Sequence, residues 1–562
     1  MTELVNIAEA LTRQARAQPD TVALVVPTRR VDGRWQDRRY TYRQLDDLSD
    51  RLAAGLQAQG YEPGTRVAFM VPPSLEFFAL FFALFKAGLV PVLIDPGIGM
   101  KPLKACLAEA RPRVFIGMAR AQWARLLLGW GRESIRSTIT IGPRPFGLGR
   151  KYKDLLSGNA TDFRPPGFEG DEAADRPAAI LFTSGSTGIP KGVVYRHRNF
   201  VAQVRLMRET FGMSPGEVDL PTFPPFALFD PALGMTTVIP KMDFTRPAKA
   251  DPDMLVSMIE QYGVTNLFGS PALMNTLSRH LEANRIKLPT LKRALSAGAP
   301  VPPKVVERVL GALNPTADLH TPYGATEVLP VATVAGRELL DGLADAHREG
   351  RGICVGRPLA ANTVRIIKIT DRPIEKLADS ARVDRGEIGE ICVCGPTVTE
   401  AYWQRDAQTR LAKMADPDGA VWHRMGDLGW IDDEGRLWYC GRKSERVITA
   451  DGTLYTECIE GRVNAVHGVF RSALVGVGEP GRQIPVVIVE PEPTVKPGPV
   501  IASVHDQLEM HAETAMIRDV LMRQDLPTDI RHNAKIRRPQ LAEWAARRLR
   551  RRRIGATAKD WS

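Results

Sequence analysis

Cysteine is scarce and poorly spaced for metal: Cys106, Cys354, Cys392, Cys394, Cys440 and Cys458 include no pair with zinc-site spacing. Cys392 and Cys394 alternate within "EICVCG", so they share one face of a strand. All six read as small buried apolar residues of a chain kept in a reducing, cytoplasmic compartment. The N-terminal stretch "MTELVNIAEALTRQARAQPD" lacks the basic start and apolar run of a signal peptide. Long uninterrupted apolar runs are missing too. "LEFFALFFALFKAGLVPVLI", residues 75–94, has the length to span a bilayer, but Glu76 and Lys86 interrupt it and "AGLVP" reads as a helix ending before a buried strand. A core helix followed by a parallel strand is expected there. No internal repeat is visible. No basic face is interleaved with aromatic residues in the manner that stacks bases, so nucleic acid is not an expected partner.

Apolar material is plentiful: 44% of the 562 residues are hydrophobic and 25% charged, enough for a large globular core. The net charge of +11 is uneven, because residues 531–553, "RHNAKIRRPQLAEWAARRLRRRR", hold ten Lys or Arg against one Glu. This stretch reads as a solvated basic tail, with an anionic partner, peripheral contact to an anionic membrane surface and, least of the three, nucleic acid as the sharper alternatives. Strand-like runs alternate with helical patterns, as in "TRVAFMV", the helix around Phe77 to Lys86, and "VPVLID". "DMLVSMIEQYG" precedes "VTNLFGS" in the same way, and "PPKVVERVLGAL" precedes "ADLHTPYG". After about residue 360 short strands dominate. From Gly441 a further α/β unit follows, with "FRSALVGVGEP" and "IPVVIVEP" as strands, "SVHDQLEMHAETAMIRDVLM" as a helix and "PEPTVKPGP" as an exposed loop. The expected fold class is α/β. Residues 1–441 form a large multi-subdomain N-terminal domain of largely parallel sheets plus a small β-rich subdomain, 442–446 a hinge, and 447–562 a smaller mobile α/β domain carrying the basic tail.

One loop carries the chemistry. "TSGSTGIPKG", residues 183–192, follows the apolar run "AAILF". Its glycines let backbone approach an anion. Backbone N–H groups, the hydroxyls of Thr183, Ser184, Ser186 and Thr187, and the charge of Lys191 can all bind phosphate oxygens. It is not a Walker loop, which needs Gly-Lys followed by Ser or Thr; here Pro190 precedes Lys191 and Gly192 follows. A nucleophile elbow on Ser186 fails because Ser184 stands where Gly is needed. A plain polar turn is a poor account of so many hydroxyls and glycines around one lysine.

The loop resembles the phosphate loop of the adenylate-forming superfamily, which includes acyl-CoA synthetases, peptide-synthetase adenylation domains and luciferases. The resemblance extends along nearly the whole chain. It implies phosphate contacts from Thr183, Ser184, Gly185, Ser186, Thr187, Gly188 and Lys191. "TPYGATE", residues 321–327, is similar to the Tyr-Gly-x-Thr-Glu signature. That likeness implies Tyr323 and Gly324 at adenine, Thr326 at the α-phosphate and Glu327 holding Mg²⁺, a role suited to a hard carboxylate. Thr321 stands where many relatives have Asn. "SAGAP" resembles the turn lining the adenine pocket, through Gly298 and Ala299. "RMGDLGWIDDEGRLWYCGRKSER" is similar to the Gly-Asp-Leu-Gly segment and hinge, with Asp427 on the ribose hydroxyls, Arg442 on the nucleotide and Ser444 at the pivot. "RHNAKIRR" looks like the terminal catalytic-lysine motif, with Ala534 for the usual Gly and Lys535 bridging carboxylate and α-phosphate. The catalytic set implied is Lys535, Lys191, Thr326 and Glu327; ATP and Mg²⁺ are the implied cofactors.

The implied chemistry is attack of a carboxylate on the α-phosphorus of ATP, giving acyl-adenylate and pyrophosphate, then transfer of the acyl group. An acyl pocket is expected from "LPTFPPFALFDPALGM" and "NLFGSPALM", with Phe223, Phe226, Phe229, Leu233, Met235 and Phe268 suited to a fatty chain. Ala227 stands where many CoA synthetases carry His. Together with "GICVGRP" and the long connection after Glu327, the chain looks most like the β-lactone synthetase branch of bacterial long-chain olefin biosynthesis. There the substrate is a 2-alkyl-3-hydroxy fatty acid whose own hydroxyl displaces AMP and closes a strained ring. The alternatives are a long-chain fatty acyl-CoA or acyl-AMP ligase, a catalytically dead acyl-nucleotide binder, and a docking protein led by its basic tail. His197 and His423 are candidate bases by proximity to motifs alone. The olefin branch implies a thiolase-like condensing enzyme, a reductase and a β-lactone decarboxylase as partners.

Overall fold

The structure, a computed structural model, describes residues 4–157, 171–183, 190–493, 495–528 and 536–559. Its centre is the apolar run at 75–94. Ser74 caps the helix Leu75–Lys86, its hydroxyl accepting from the Phe77 N–H at 3.2 Å. Every residue from Phe77 to Lys86 is buried, and the strand Val90–Leu93 follows. The run is thus a core helix and a parallel strand, as its interrupting charges suggest. Lys86 is the device that lets a charge lie there: its side chain is 2% exposed, and its ammonium meets Asp46 at 2.6 Å, Asp50 at 2.5 Å and Ser49 at 2.8 Å. No helix among the described residues is long and apolar enough to cross a membrane.

Two large sheets enclose this helix. A seven-stranded sheet runs parallel from Arg150–Lys151 to Pro177–Phe182, and only its last pair, with Gly192–Arg196, is antiparallel. A fourteen-stranded sheet has a parallel half, including Val218–Pro221, Asn266–Gly269, Arg293–Ser296 and Asp318–Ala325. One core cluster takes side chains from both sheets, among them Phe69, Val114, Leu24 and Phe268. The β-rich region after residue 360 is not a separate sheet. The strand Asp318–Ala325 turns back as Val328–Ala335, and that reversal makes the later strands antiparallel additions to the same sheet.

Beyond Arg442 the chain passes through a short turn, Lys443–Glu445, into a unit built on a three-stranded sheet, Val469–Val477, Ile484–Pro491 and Asp519–Met522. The expected helix over 503–522 differs from what is found. It spans Pro497–Glu509, with proline tolerated in its first turn, and "DVLM" is instead a buried parallel strand. The helix therefore begins inside the stretch read as an exposed loop. The basic stretch differs as well. From Arg538 it is a helix, Arg538–Lys559, whose Leu541, Ala545 and Leu549 pack on the small sheet. Arg538 is no solvated cation: it is buried, with Nε 2.9 Å from Glu445 and Nη1 2.6 Å from Glu460.

Removing the ammonium of Lys86 would strand two carboxylates in the core. Lys86→Met is expected to destabilise the large domain by about 3 kcal/mol, read as a lowered midpoint of its denaturant transition.

Candidate functional site

The strands Pro177–Phe182 and Gly192–Arg196 pair across the glycine-rich loop and hold its two ends together. The Thr183 N–H donates to the Lys191 carbonyl at 3.0 Å, and the Lys191 N–H donates to the Thr183 hydroxyl at 3.3 Å. Ser184, Gly185, Ser186, Thr187 and Gly188 lie outside the described residues, as does Lys535. Thr183 and Lys191 open onto a cavity of about 2000 Å³. The same cavity is lined by Gly298 and Ala299, by Tyr323, Gly324, Thr326 and Glu327, and by Asp427 and Arg442. Segments separated by hundreds of residues thus share one space.

Backbone geometry explains two glycines. Gly298 has φ +99°, a conformation that side chains oppose. A Cβ on Gly324 would come within 2.7 Å of the Val328 carbonyl, so the turn into the next strand closes only without one. Two hydroxyls then fix the backbone between Thr326 and Glu327. Tyr195 donates to the Thr326 carbonyl at 2.6 Å, and Thr399 donates to the Glu327 carbonyl at 3.0 Å.

The Glu327 carboxylate faces a phenol and an ammonium. Tyr402 donates to Glu327 Oε1 at 2.5 Å, and Lys191 Nζ donates to the Tyr402 hydroxyl at 3.2 Å while lying 4.3 Å from the ring centre. Burial lowers the Lys191 pKa, and Glu327 opposes that shift; burial and then Glu327 raise that of Tyr402. Tyr402 thus stays a neutral donor, and Lys191 is a weakly hydrated cation that anionic oxygens would stabilise. No cluster of three or more His, Cys, Asp or Glu able to hold a metal occurs among the described residues. A single carboxylate beside an anion site fits Mg²⁺, which takes one or two protein oxygens and fills its shell from phosphates and water.

At the opposite wall Tyr323 donates to Asp427 Oδ2 at 2.6 Å, and Arg442 Nη1 lies 2.8 Å from Asp427 Oδ1. The antiparallel register sets Asp427 opposite Arg442. The ion pair lacks hydrogen-bond alignment, and Asp427 Oδ1 is a buried acceptor without a hydrogen-bond donor among the described residues. It can accept a ligand hydroxyl. Burial raises the Asp427 pKa and Arg442 opposes it; Asp427 in turn raises that of Arg442.

The apolar arm of the cavity is aromatic. Phe226 stacks on Phe268 with ring centres 4.1 Å apart, and Phe223 and Phe229 complete this wall. Leu233, expected here, is elsewhere. It is fully buried in the main core on a one-turn helix beside the helix Ala8–Ala17, as is Met235, whose carbonyl accepts from Tyr42. Their place is taken by Phe77, Phe81 and Phe85, one stripe of the helix expected as plain core, together with Phe200, which no motif marked. Their i, i+4, i+8 spacing was visible, but a helix apolar on every side does not show which stripe meets a cavity. Tyr402, Thr399 and Tyr195 were missed because no motif marked them.

Neither histidine makes a ready base. Burial drops the His197 pKa to about 3, and the ring packs edge-on against Phe85. His423 lines the cavity, but its Nδ1 lies 3.1 Å from the Ala412 carbonyl and burial holds its pKa well below the usual range.

A family model described as AMP-binding enzyme matches residues 11–403. The olefin beta-lactone synthetase of Xanthomonas campestris pv. campestris is 51% identical over 560 residues, covering 97% of this chain and 98% of that protein. That of Stenotrophomonas maltophilia is 49% identical over 563 residues, 98% of this chain and 100% of its own. Among solved structures, the amide bond synthetase of Marinactinospora thermotolerans superposes with a TM-score of 0.76 at 22% identity, covering 96% of this chain and 99% of that one, a likeness of fold.

Lys413 sits behind this site, its ammonium donating to the Thr399 carbonyl, and burial drags its pKa from 10.5 to about 7 against the pull of Glu327. Between those two values the folded chain has released a proton that the unfolded chain keeps, so stability rises with pH across that window. Denaturant midpoints measured from about pH 7 to about pH 10 are expected to rise less steeply in Lys413→Met than in the parent.

Proposed function

The chain belongs to the AMP-binding enzyme family, and from that premise we propose that it activates a long-chain 2-alkyl-3-hydroxy fatty acid with ATP and closes the acid into a β-lactone. The observation that carries the reading is one cavity joining the Lys191–Glu327 end to an aromatic arm built from Phe81, Phe85, Phe226 and Phe268. Near-half identity over full length to two olefin beta-lactone synthetases supports the choice of product.

The adenine and ribose would rest between the Gly298 turn, Tyr323 and Asp427, whose unfilled Oδ1 accepts a ribose hydroxyl. Arg442 pairs with Asp427 and favours its charged form against the effect of burial. Lys191 would sit on the outer phosphates, trading the Tyr402 hydroxyl for phosphate oxygens. Glu327 would hold Mg²⁺, which would supply positive charge where the leaving pyrophosphate gains negative charge. The substrate carboxylate attacks the α-phosphorus, and the bond to pyrophosphate breaks. The 3-hydroxyl oxygen then attacks the acyl carbonyl, its proton passes to water, and AMP departs with the bonding pair. Positioning does most of this work: an alkyl arm lined by phenylalanines holds both branches of the acid so that hydroxyl and carbonyl meet. Lys535 is assigned to the α-phosphate, where charge peaks.

The unit 447–562 is proposed to turn about 442–446 between the two steps. In the present arrangement Lys443 meets Glu390 at 2.8 Å, Arg446 meets Asp371 at 2.6 Å, and Arg538 ties the hinge residue Glu445 to Glu460. The product would feed a decarboxylase that releases olefin, and the acid would come from a thiolase-like condensation and a reduction.

Incubation with ATP, Mg²⁺ and such an acid, without CoA, is expected to give β-lactone, AMP and pyrophosphate by NMR. Adenylate alone, or a thioester once CoA is added, would move the chain to the acyl-AMP or acyl-CoA ligases. Glu327→Gln and Lys535→Ala are each expected to cost ~2–4 kcal/mol of transition-state stabilisation, measured as slowed pyrophosphate release with the fold intact.

A further inference from the structure

The helix Ala119–Leu128 is two-faced. Met118, Ala121 and Ala124 line the cavity, whereas Trp123 and Leu127 point outward on the other side. Leu127 is 80% exposed, and Phe146, 78% exposed, meets the Trp123 ring at 4.7 Å. Leu148 continues this apolar surface. Met100 belongs to both spaces, because it lines the cavity and is 51% exposed. The cavity therefore reaches the surface at Met100, which opens the helix Met100–Ala110 whose Lys104 stands by Gly129 at the end of the patch-bearing helix.

The patch lies in basic surroundings. Residues 97–157 contain twelve Lys or Arg against three Asp or Glu, a second concentration of charge distinct from 531–553. Lys101, Lys104, Arg120, Arg150 and Lys151 are exposed. Lys104 reaches to Gly129 at the end of the helix, and Arg120 stands in its first turn. A second copy of this chain would bring like charges together. Exposed Trp and Phe ringed by cations suit the boundary between anionic headgroups and acyl chains.

We propose that this face docks on an anionic lipid bilayer and that the long-chain substrate passes from the bilayer into the cavity past Met100. The second clause rests on the acyl substrate proposed above; the docking does not. Leu127 and Phe146 insert at the interface, and the lysines and arginines pair with headgroup phosphates. The basic C-terminal helix, partly packed on its own sheet, is not the principal contact.

Flotation with the full chain decides it. The parent protein is expected to float with vesicles of phosphatidylglycerol and phosphatidylcholine, and far less with phosphatidylcholine alone. Leu127→Ser with Phe146→Ser is expected to lower partitioning at least about tenfold while keeping pyrophosphate release with a short, water-soluble 3-hydroxy acid. Lys104→Gln with Arg150→Gln, which leaves the apolar patch intact, is expected to weaken flotation at low salt. Arg547→Gln, Arg548→Gln and Arg550→Gln together are expected to leave it unchanged. Parent protein that does not float, a patch variant that floats as the parent does, or loss confined to the helix variant overturns the proposal. So does self-association, or capture of an acidic protein, that the patch substitutions abolish in the absence of flotation. Flotation as expected with no lactone formed would leave the docking standing and remove the substrate reading.

Discussion

A carboxylate, a phenol and an ammonium held out of water at one end of an apolar cavity are what the rest of the molecule serves. Glu327 accepts from Tyr402, Tyr402 accepts from Lys191, and the backbone carrying Glu327 is pinned by Tyr195 and Thr399. Those groups come from three separate stretches of chain, 191–195, 326–327 and 399–402, so neither sheet could shift without separating them. In low-dielectric surroundings their mutual attraction is strong, and so is the cost of leaving any one unpaired. A polyanion with its cation satisfies the same three groups, which is the physical basis for reading an ATP site.

Charge burial recurs wherever the structure must be held in one arrangement. Lys86 ends the most apolar helix among Asp46, Asp50 and Ser49. Arg424 and Lys443 share Glu390, and the Arg424–Glu390 pair is 1% exposed on both sides. Lys443 belongs to the short segment leading to the C-terminal unit, so that segment begins from a buried anchor. Arg538 performs the corresponding task from the other side, joining Glu445 to Glu460 immediately after the stretch that carries Lys535.

The aromatic arm offers an apolar wall of the kind the proposed acyl chain needs. Its walls come from the central helix, from the strand-to-helix connection around Phe226, and from Phe268 at a strand end. Filling it with hydrocarbon removes apolar surface from water on both partners. The helix Ala119–Leu128 closes it on the side where the surface is apolar and basic.

Local signals in the chain determined a good deal. Alternating strand and helix patterns marked an α/β protein, the charges at Glu76 and Lys86 argued against a membrane span, and a glycine- and hydroxyl-rich loop around Lys191 pointed to phosphate. Each of these is written in a few consecutive residues. Tertiary structure alone decided that the late β-rich strands extend the main sheet, because pairing partners are set by a chain reversal at 325–328. It decided that Leu233 faces the core and Phe77, Phe81 and Phe85 face the cavity, since a helix buried on all sides carries no mark of which neighbour is empty space. It also turned Arg538 from one more cation in a basic run into a buried link between two carboxylates. The sequence specifies which groups exist and their local geometry; which of them meet, and in how dry a place, depends on contacts between residues far apart in the chain.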